Sequence, residues 1–125
     1  MEPNPTPDAT KGTIVALSRD LFFGMRMRTI IRQLDYDIRL VNDEASLMAR
    51  IEATSPTLVF VDFNKPVDWD TLAPLIASET PVVGFCSHTN VEGFRAAKAA
   101  GVDRTVSNGQ FSRMMPELIE KYGRS

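Results

Sequence analysis

Apolar positions along the chain gather in short runs separated by mixed stretches, and the two kinds of segment carry different periods. "TIVAL" (13–17) is continuous and rich in β-branched residues, the pattern of a buried strand. Asp20 stands where it can cap a helix, and behind it Phe22, Phe23, Met27, Ile30, Ile31 and Leu34 recur at spacings that predict one apolar helical face. "DIRLV" (37–41) alternates, as a half-exposed edge strand does. Asn42 or Asp43 is placed to cap a second helix, with Leu47, Met48 and Ile51 inward. "TLVFV" (57–61) is uninterrupted and predicts a central strand covered on both faces. A polar loop containing Pro66 leads to a short helix around 71–77, then to "PVVGFC" (81–86), another buried strand. Residues 91–100 are alanine-rich and helical, with Gly101 as the C-cap. "DRTVS" (103–107) predicts a last short strand, and 112–122 a closing helix with Pro116 near its first turn.

Strand and helix therefore alternate from end to end, with connections too short for separate domains. The pattern predicts an α/β fold, a flavodoxin-like (βα)5 doubly wound parallel sheet with strand order 2-1-3-4-5. The alternating second strand and the short fifth one suit the two edges. A chain of 125 residues fits one such domain, expected over 13–125. Residues 1–12, "MEPNPTPDATKG", hold three prolines and no apolar run, and are expected to be a disordered leader rather than a signal peptide.

Composition narrows the function classes. With 43% hydrophobic and 24% charged residues and a net charge of −2, no field of the whole molecule favours nucleic acid or an anionic membrane. No apolar run approaches the roughly 20 residues needed to span a bilayer. The single cysteine, Cys86, excludes an internal disulfide framework and fits a reducing compartment, so the cytoplasm is the expected location.

In a doubly wound sheet, ligands sit beyond the carboxyl ends of the strands, where the strand order reverses. Those ends carry Ser18, Arg19 and Asp20; Asp62, Phe63 and Asn64; Cys86, Ser87 and His88; and Ser107 and Asn108. Asp62 ends an apolar run at the mouth of this crevice. It either caps the loop that follows or is presented there to act. Other chemistry finds little support. His88 directly follows Ser87 without the glycines of a nucleophile elbow, and there is no GxGxxG, no GK[ST] and no metal-ligand spacing. The turn "SRDLFFG" lacks the glycine and hydroxyl content of a flavin-phosphate loop. Cys86, in an apolar strand, reads as a small buried hydrophobe or as a thiol at a strand end. Arg19, Arg26, Arg28, Arg32 and Arg39 gather in the first strand–helix–strand unit, as a solvated helix face or as a surface that docks an anionic partner.

Several stretches in sequence resemble the receiver domain of response regulators, the phospho-accepting module of two-component signalling. "PTLVFVDFNKP" (56–66) is similar to the third strand with its Asp-x-x-x-Pro loop, "TPVVGFCS" to the fourth strand, "AAKAAGVDRTVS" to the fourth helix and fifth strand, and "RQLDYDIRLVNDEASL" to the entry into the second strand and helix. The resemblance covers 13–122 and implies Asp62 as the phospho-acceptor candidate. It also implies an Mg²⁺ site built on that aspartate, an acidic pair after the first strand and the carbonyl two residues past the acceptor. Here Ser18-Arg19 stand for the acidic pair, leaving only Asp20, Asp62 and Asn64 as weak metal candidates, and a hard cation wants anionic oxygens. The switch hydroxyl residue aligns with Cys86, the aromatic switch residue with Thr105, and the lysine–proline pair with Asn108-Gly109. Phosphoryl transfer depends on cations that neutralise the transferring group, and most of these are gone.

The expectation is therefore a degenerate, pseudo-receiver variant. It would be non-enzymatic and without a cofactor, with Arg19 paired to Asp62 in place of the cation. The partner expected is a protein, including a second copy of the chain through helix 4, strand 5 and helix 5, where Arg95, Lys98, Asp103, Arg104 and Glu117 would lie. No output domain follows Ser125 in this sequence, so the effect is expected to pass through association, with neither nucleic acid nor membrane as partner. Two alternatives stay open. One is a working regulator phosphorylated on Asp62, needing Mg²⁺. The other is a small-anion or ligand-binding domain whose crevice uses Arg19, Ser87 and Asn108.

Overall fold

The computed structural model describes residues 10–123; the leader expected over 1–12 falls largely outside them. Strands and helices alternate as β1 (Thr13–Leu17), α1 (Leu21–Gln33), β2 (Asp37–Val41), α2 (Glu44–Thr54), β3 (Leu58–Asp62), α3 (Ala73–Ile76), β4 (Val82–Cys86), α4 (Val91–Ala100), β5 (Arg104–Ser107) and α5 (Asn108–Tyr122). The five strands form one parallel sheet in the order β2-β1-β3-β4-β5. Backbone pairing starts just ahead of β1: the Lys11 N–H donates to the Asp35 carbonyl, and the Asp37 N–H donates to that of Gly12.

Side chains of a strand alternate between the two faces, and here each face meets its own helices. Ile14, Ala16, Phe60, Val83 and Phe85 pack with Met27 and Ile31 of α1 and with Phe111, Met115, Leu118 and Ile119 of α5. Val15, Leu17, Val59 and Val61 pack with Leu47 of α2 and with Leu72 and Leu75 around α3. Cys86 and Phe63 pack with Ala97 of α4. β3 and β4 are buried along their whole length and β1 from Ile14 on, whereas β2 and β5 are only partly covered, as edge strands should be. The register sets Asp62 opposite Phe85 and Cys86 opposite Ser107, which brings the strand ends level on one rim of the sheet.

Three local expectations change. Phe22 does not join the apolar face of α1: it is 80% exposed, because at about 100° per residue it falls away from the arc of Phe23, Met27, Ile30 and Ile31. The third helix is a single turn, Ala73–Ile76, shorter than 71–77. α5 begins at Asn108 rather than 112. The cause is a capping box, in which the Ser107 hydroxyl accepts from the Gln110 N–H and the Gln110 side chain accepts from the Ser107 N–H. Pro116 consequently lies inside the helix rather than near its start.

Gly84 is required by a close approach. A Cβ built there would stand 2.7 Å from Cε1 of Phe63, whose ring is held edge-on by Trp69 and Phe94 at centroid distances of 5.9 and 5.4 Å. Gly84→Ala should therefore destabilise the fold by about 1–1.5 kcal/mol through overpacking. Urea denaturation tests this, and an unchanged midpoint would mean that the Phe63 ring yields freely.

Candidate functional site

Asp62 is the one buried charged residue among those described, at 6% exposure. It ends β3 where the strand leaves the sheet, and Phe63, packed over Gly84, fixes the chain just beyond it. Its carboxylate accepts three hydrogen bonds from within the protein. Oδ1 accepts from the Asn64 N–H at 2.9 Å and from Asn64 Nδ2 at 2.6 Å, and Oδ2 accepts from the Ser18 hydroxyl at 2.8 Å. The backbone bond two residues on is the ordinary turn use of an aspartate; the other two bonds reach outside that pattern.

Asn64 is the hub of the site. Its Oδ1 accepts from the Ser87 N–H at 2.9 Å and from Asn108 Nδ2 at 3.0 Å, while its Nδ2 also donates to Asn108 Oδ1 at 3.1 Å. The two amides face each other in a reciprocal pair, which holds Asn108 at the first residue of α5. Asn64 thus joins the ends of β3, β4 and β5 through Asp62, Ser87 and Asn108, and Ser18 adds the end of β1 through Asp62. The sequence reading placed Asn64 in the crevice as a weak ligand. Its side chain proves to be the organiser.

Arg19 does not pair with Asp62. Its Nη2 donates to Glu44 Oε1 at 2.7 Å, and the other oxygen of Glu44 accepts from the Asp68 N–H at 2.8 Å. Glu44, absent from the candidates read in the sequence, so ties the loop after β1 to the loop after β3. The Asp68 N–H above all holds its carboxyl below the usual range; burial opposes it, and Glu44's own N–H and the Arg19 guanidinium add to the lowering. That contribution to stability is present above the ordinary glutamate pKa and is lost as the pH falls through the lowered one. The signal that could have identified Glu44 is its place at the start of a helix level with the β1 end, within reach of the arginine that follows that strand.

The remaining candidates divide. Asp20 caps α1 by accepting from the Phe23 N–H at 3.0 Å. Ser87 is half-buried at the rim, its hydroxyl shared with Thr89 at 3.0 Å. Cys86 leaves the crevice group: it is fully buried beside Phe63 and Ala97, and its thiol contacts the Ser87 carbonyl at 3.4 Å. Burial pushes that thiol up to about 11, with the Asp62 charge adding to the shift, so it carries its proton at neutral pH. At the β5 edge of the sheet, on α4, β5 and α5, Arg95, Lys98 and Glu117 are exposed and Arg104 is half-buried, whereas Asp103, just ahead of β5, spends a carboxylate oxygen on the Val82 N–H at 2.7 Å. Arg95 itself meets Glu92 at 3.4 Å on the surface.

Above Asp62 opens a cleft of about 530 Å³, walled by Phe22, Phe23, Arg19, Lys65 and Asn108. A divalent cation does not fit its donor set well. The oxygens of Asp62 already accept three bonds, Asp20 caps its helix, and hydroxyl and guanidinium groups stand beside them where anionic oxygens would be needed. Among the described residues no cluster of three or more His, Cys, Asp or Glu forms a metal site.

Comparison with solved structures finds the same architecture repeatedly. The chemotaxis response regulator CheY4 of Vibrio cholerae superposes with a TM-score of 0.75 at 13% identity, over 90% of this chain and 98% of its own. The receiver domain of the TMAO respiratory response regulator TorR gives 0.77 at 16%, over 87% and 93%. This is the receiver fold. NtrX of Brucella abortus, solved with ADP, gives 0.76 at 19% identity, and the chain spans 90% of itself but 27% of that protein. No protein-family model matches the chain, and no curated protein matches it significantly. In this fold Asp62 ends β3 at the rim of the sheet. Among the described residues, no helix is long and apolar enough to cross a membrane.

Proposed function

We propose that the chain is a pseudo-receiver, a non-enzymatic signalling module that works by binding a protein partner and is not switched by Mg²⁺-dependent phosphorylation of Asp62. One observation carries the reading: among the described residues, the donors that reach the Asp62 carboxylate are uncharged groups, from Ser18 and Asn64. Phosphorylation would draw on a lone pair of one Asp62 oxygen, in competition with these donors. It would also require cationic groups to gather on the incoming phosphoryl group. The nearest arginine is engaged with Glu44, and Asn108, at the position where the resemblance implies a lysine, is neutral and paired to Asn64. Lys65 lines the cleft as its other cation but sits exposed at the mouth. The same engagement of Arg19 and Asn108 weakens a small-anion-binding reading.

Exposure of the protein to a small acyl phosphate with Mg²⁺, followed by intact mass, tests this. The expected result is no phosphate adduct on Asp62 and no saturable Mg²⁺-dependent amide shifts around 18–20 and 62–64. A stoichiometric adduct lost in Asp62→Asn would make the protein a working regulator instead. The α4–β5–α5 rim, with exposed Arg95, Lys98 and Glu117, is the surface proposed for a protein partner or a second copy.

A further inference from the structure

A buried charge is ordinarily paired with an opposite charge or a metal. Asp62, at 6% exposure, forms no ion pair among the described residues. Its three donors are neutral, and a carboxylate offers about four acceptor positions, so one on Oδ2 stays open beside the Ser18 hydroxyl. Asp20 lines the same cleft, gives Oδ1 to the Phe23 N–H, and also forms no ion pair among the described residues. Of the two cations that line the cleft, Arg19 is cancelled by Glu44 at 2.7 Å. That leaves two carboxylates against Lys65, which is exposed at the mouth. The wall beside them is apolar: Leu21 and Phe22 both line the cleft, and they are 74% and 80% exposed.

We infer that the cleft above Asp62 binds a small organic ammonium ion, a primary amine carried on an aromatic body. Its –NH₃⁺ would donate to the open position on Asp62 Oδ2 and lie toward the second oxygen of Asp20, supplying the charge that the protein does not. Its ring would rest against Leu21 and Phe22, and an ammonium near the face of Phe22 gains a further attraction. A cleft of about 530 Å³ with apolar walls and a few polar groups has the size and make-up of small-molecule sites. An ammonium also suits a donor set that Mg²⁺ does not, since it needs one or two acceptors rather than a shell of oxygens. An anion is the wrong occupant, because it would face both carboxylates. The inference rests on the pseudo-receiver reading in one respect, that Asp62 carries neither phosphate nor Mg²⁺.

The experiment titrates the whole isotope-labelled chain with 2-phenylethylamine at neutral pH and low salt. The neutral 2-phenylethanol and the anionic 3-phenylpropionate are the controls. Saturable amide shifts at 18–23, 62–65 and 108 are expected with the amine, at a Kd of about 1 mM or tighter. Both controls should bind about tenfold more weakly or not at all. Asp62→Asn should weaken amine binding about tenfold, and Asp20→Asn, which keeps the helix cap, about threefold. Phe22→Ala should weaken it about threefold with the melting temperature unchanged, because that side chain is exposed. Equal binding of amine and alcohol, shifts elsewhere, or indifference to Asp62→Asn and Phe22→Ala overturn the inference. So does amine binding that appears only in Lys65→Gln, which would make Lys65 the counter-ion of Asp62. No amine binding by a protein that also takes up neither phosphate nor Mg²⁺ overturns the inference and leaves the pseudo-receiver reading standing. Mg²⁺ that saturates the same amides overturns both.

Discussion

Phe111→Ala is expected to remove about 3–5 kcal/mol of stability, a large share of the total for a domain of this size. Phe111 is fully buried on the first turn of α5. Its ring stacks on Phe85 with centroids 3.9 Å apart and planes 9° apart, receives Phe60 edge-on at 4.9 Å, and meets Phe23 at 5.7 Å. These rings come from α1, β3, β4 and α5. Truncation therefore opens a cavity where four elements meet, beyond the loss of aromatic pairing worth roughly 0.5–1.5 kcal/mol per pair. Phe111→Leu should recover a good part of the loss. Urea denaturation measures both, and a cost below about 1 kcal/mol for the alanine variant would mean that α5 is anchored elsewhere, by Met115, Leu118 and Ile119.

The second large effect is at Asn64. Asn64→Ala removes the side-chain bond to the Asp62 carboxylate, the acceptor of the Ser87 N–H and the partner of Asn108 in one step. A hydrogen bond to a charged group is worth about 1.5–3 kcal/mol, and water reaches part of this site, so the expected cost is about 2 kcal/mol. Asp62→Asn should cost less, since an amide oxygen can still accept from Asn64 while its nitrogen donates to the rotatable Ser18 hydroxyl. Arg19→Ala should cost under about 1 kcal/mol, because its pair with Glu44 is partly exposed. A double-mutant cycle should show strong coupling between positions 62 and 64 and near-additivity between 19 and 62. The reverse ranking would restore a direct Arg19–Asp62 pair and overturn the network described here.

The sheet was legible because its signals are local and repeated. Continuous β-branched runs gave β1, β3 and β4, Gly101 marks the end of α4 at a φ of 95°, and alternation identified β2 as an edge. Asp43 rather than Asn42 caps α2, a choice the pattern left open. The start of α5 was misplaced although its signal was present, since Ser107 and Gln110 stand at capping-box spacing. Phe22 was assigned inward because two adjacent phenylalanines look alike to a periodic count, and the helix turns them apart. The site was less legible. Which of two carboxylates Arg19 meets depends on side-chain reach across two loops, and Glu44 lies 25 residues further along the chain. The reciprocal Asn64–Asn108 pair joins residues 44 apart and leaves no trace in composition or period.

β5 ends at Ser107 and α5 begins at Asn108, with no residue between them. The only joint between them is Ser107, the extended N-cap residue of α5, and its hydroxyl and N–H are both bonded to Gln110. Strand end and helix start behave as a crank: tilting α5 carries Asn108 with it and prises its amide from Asn64. A tilt of α5 is therefore expected to reach the neighbour of Asp62 through the Asn64–Asn108 pair. By the same mechanical linkage, loosening the rim around Asp62 lowers the resistance of α5 to being turned.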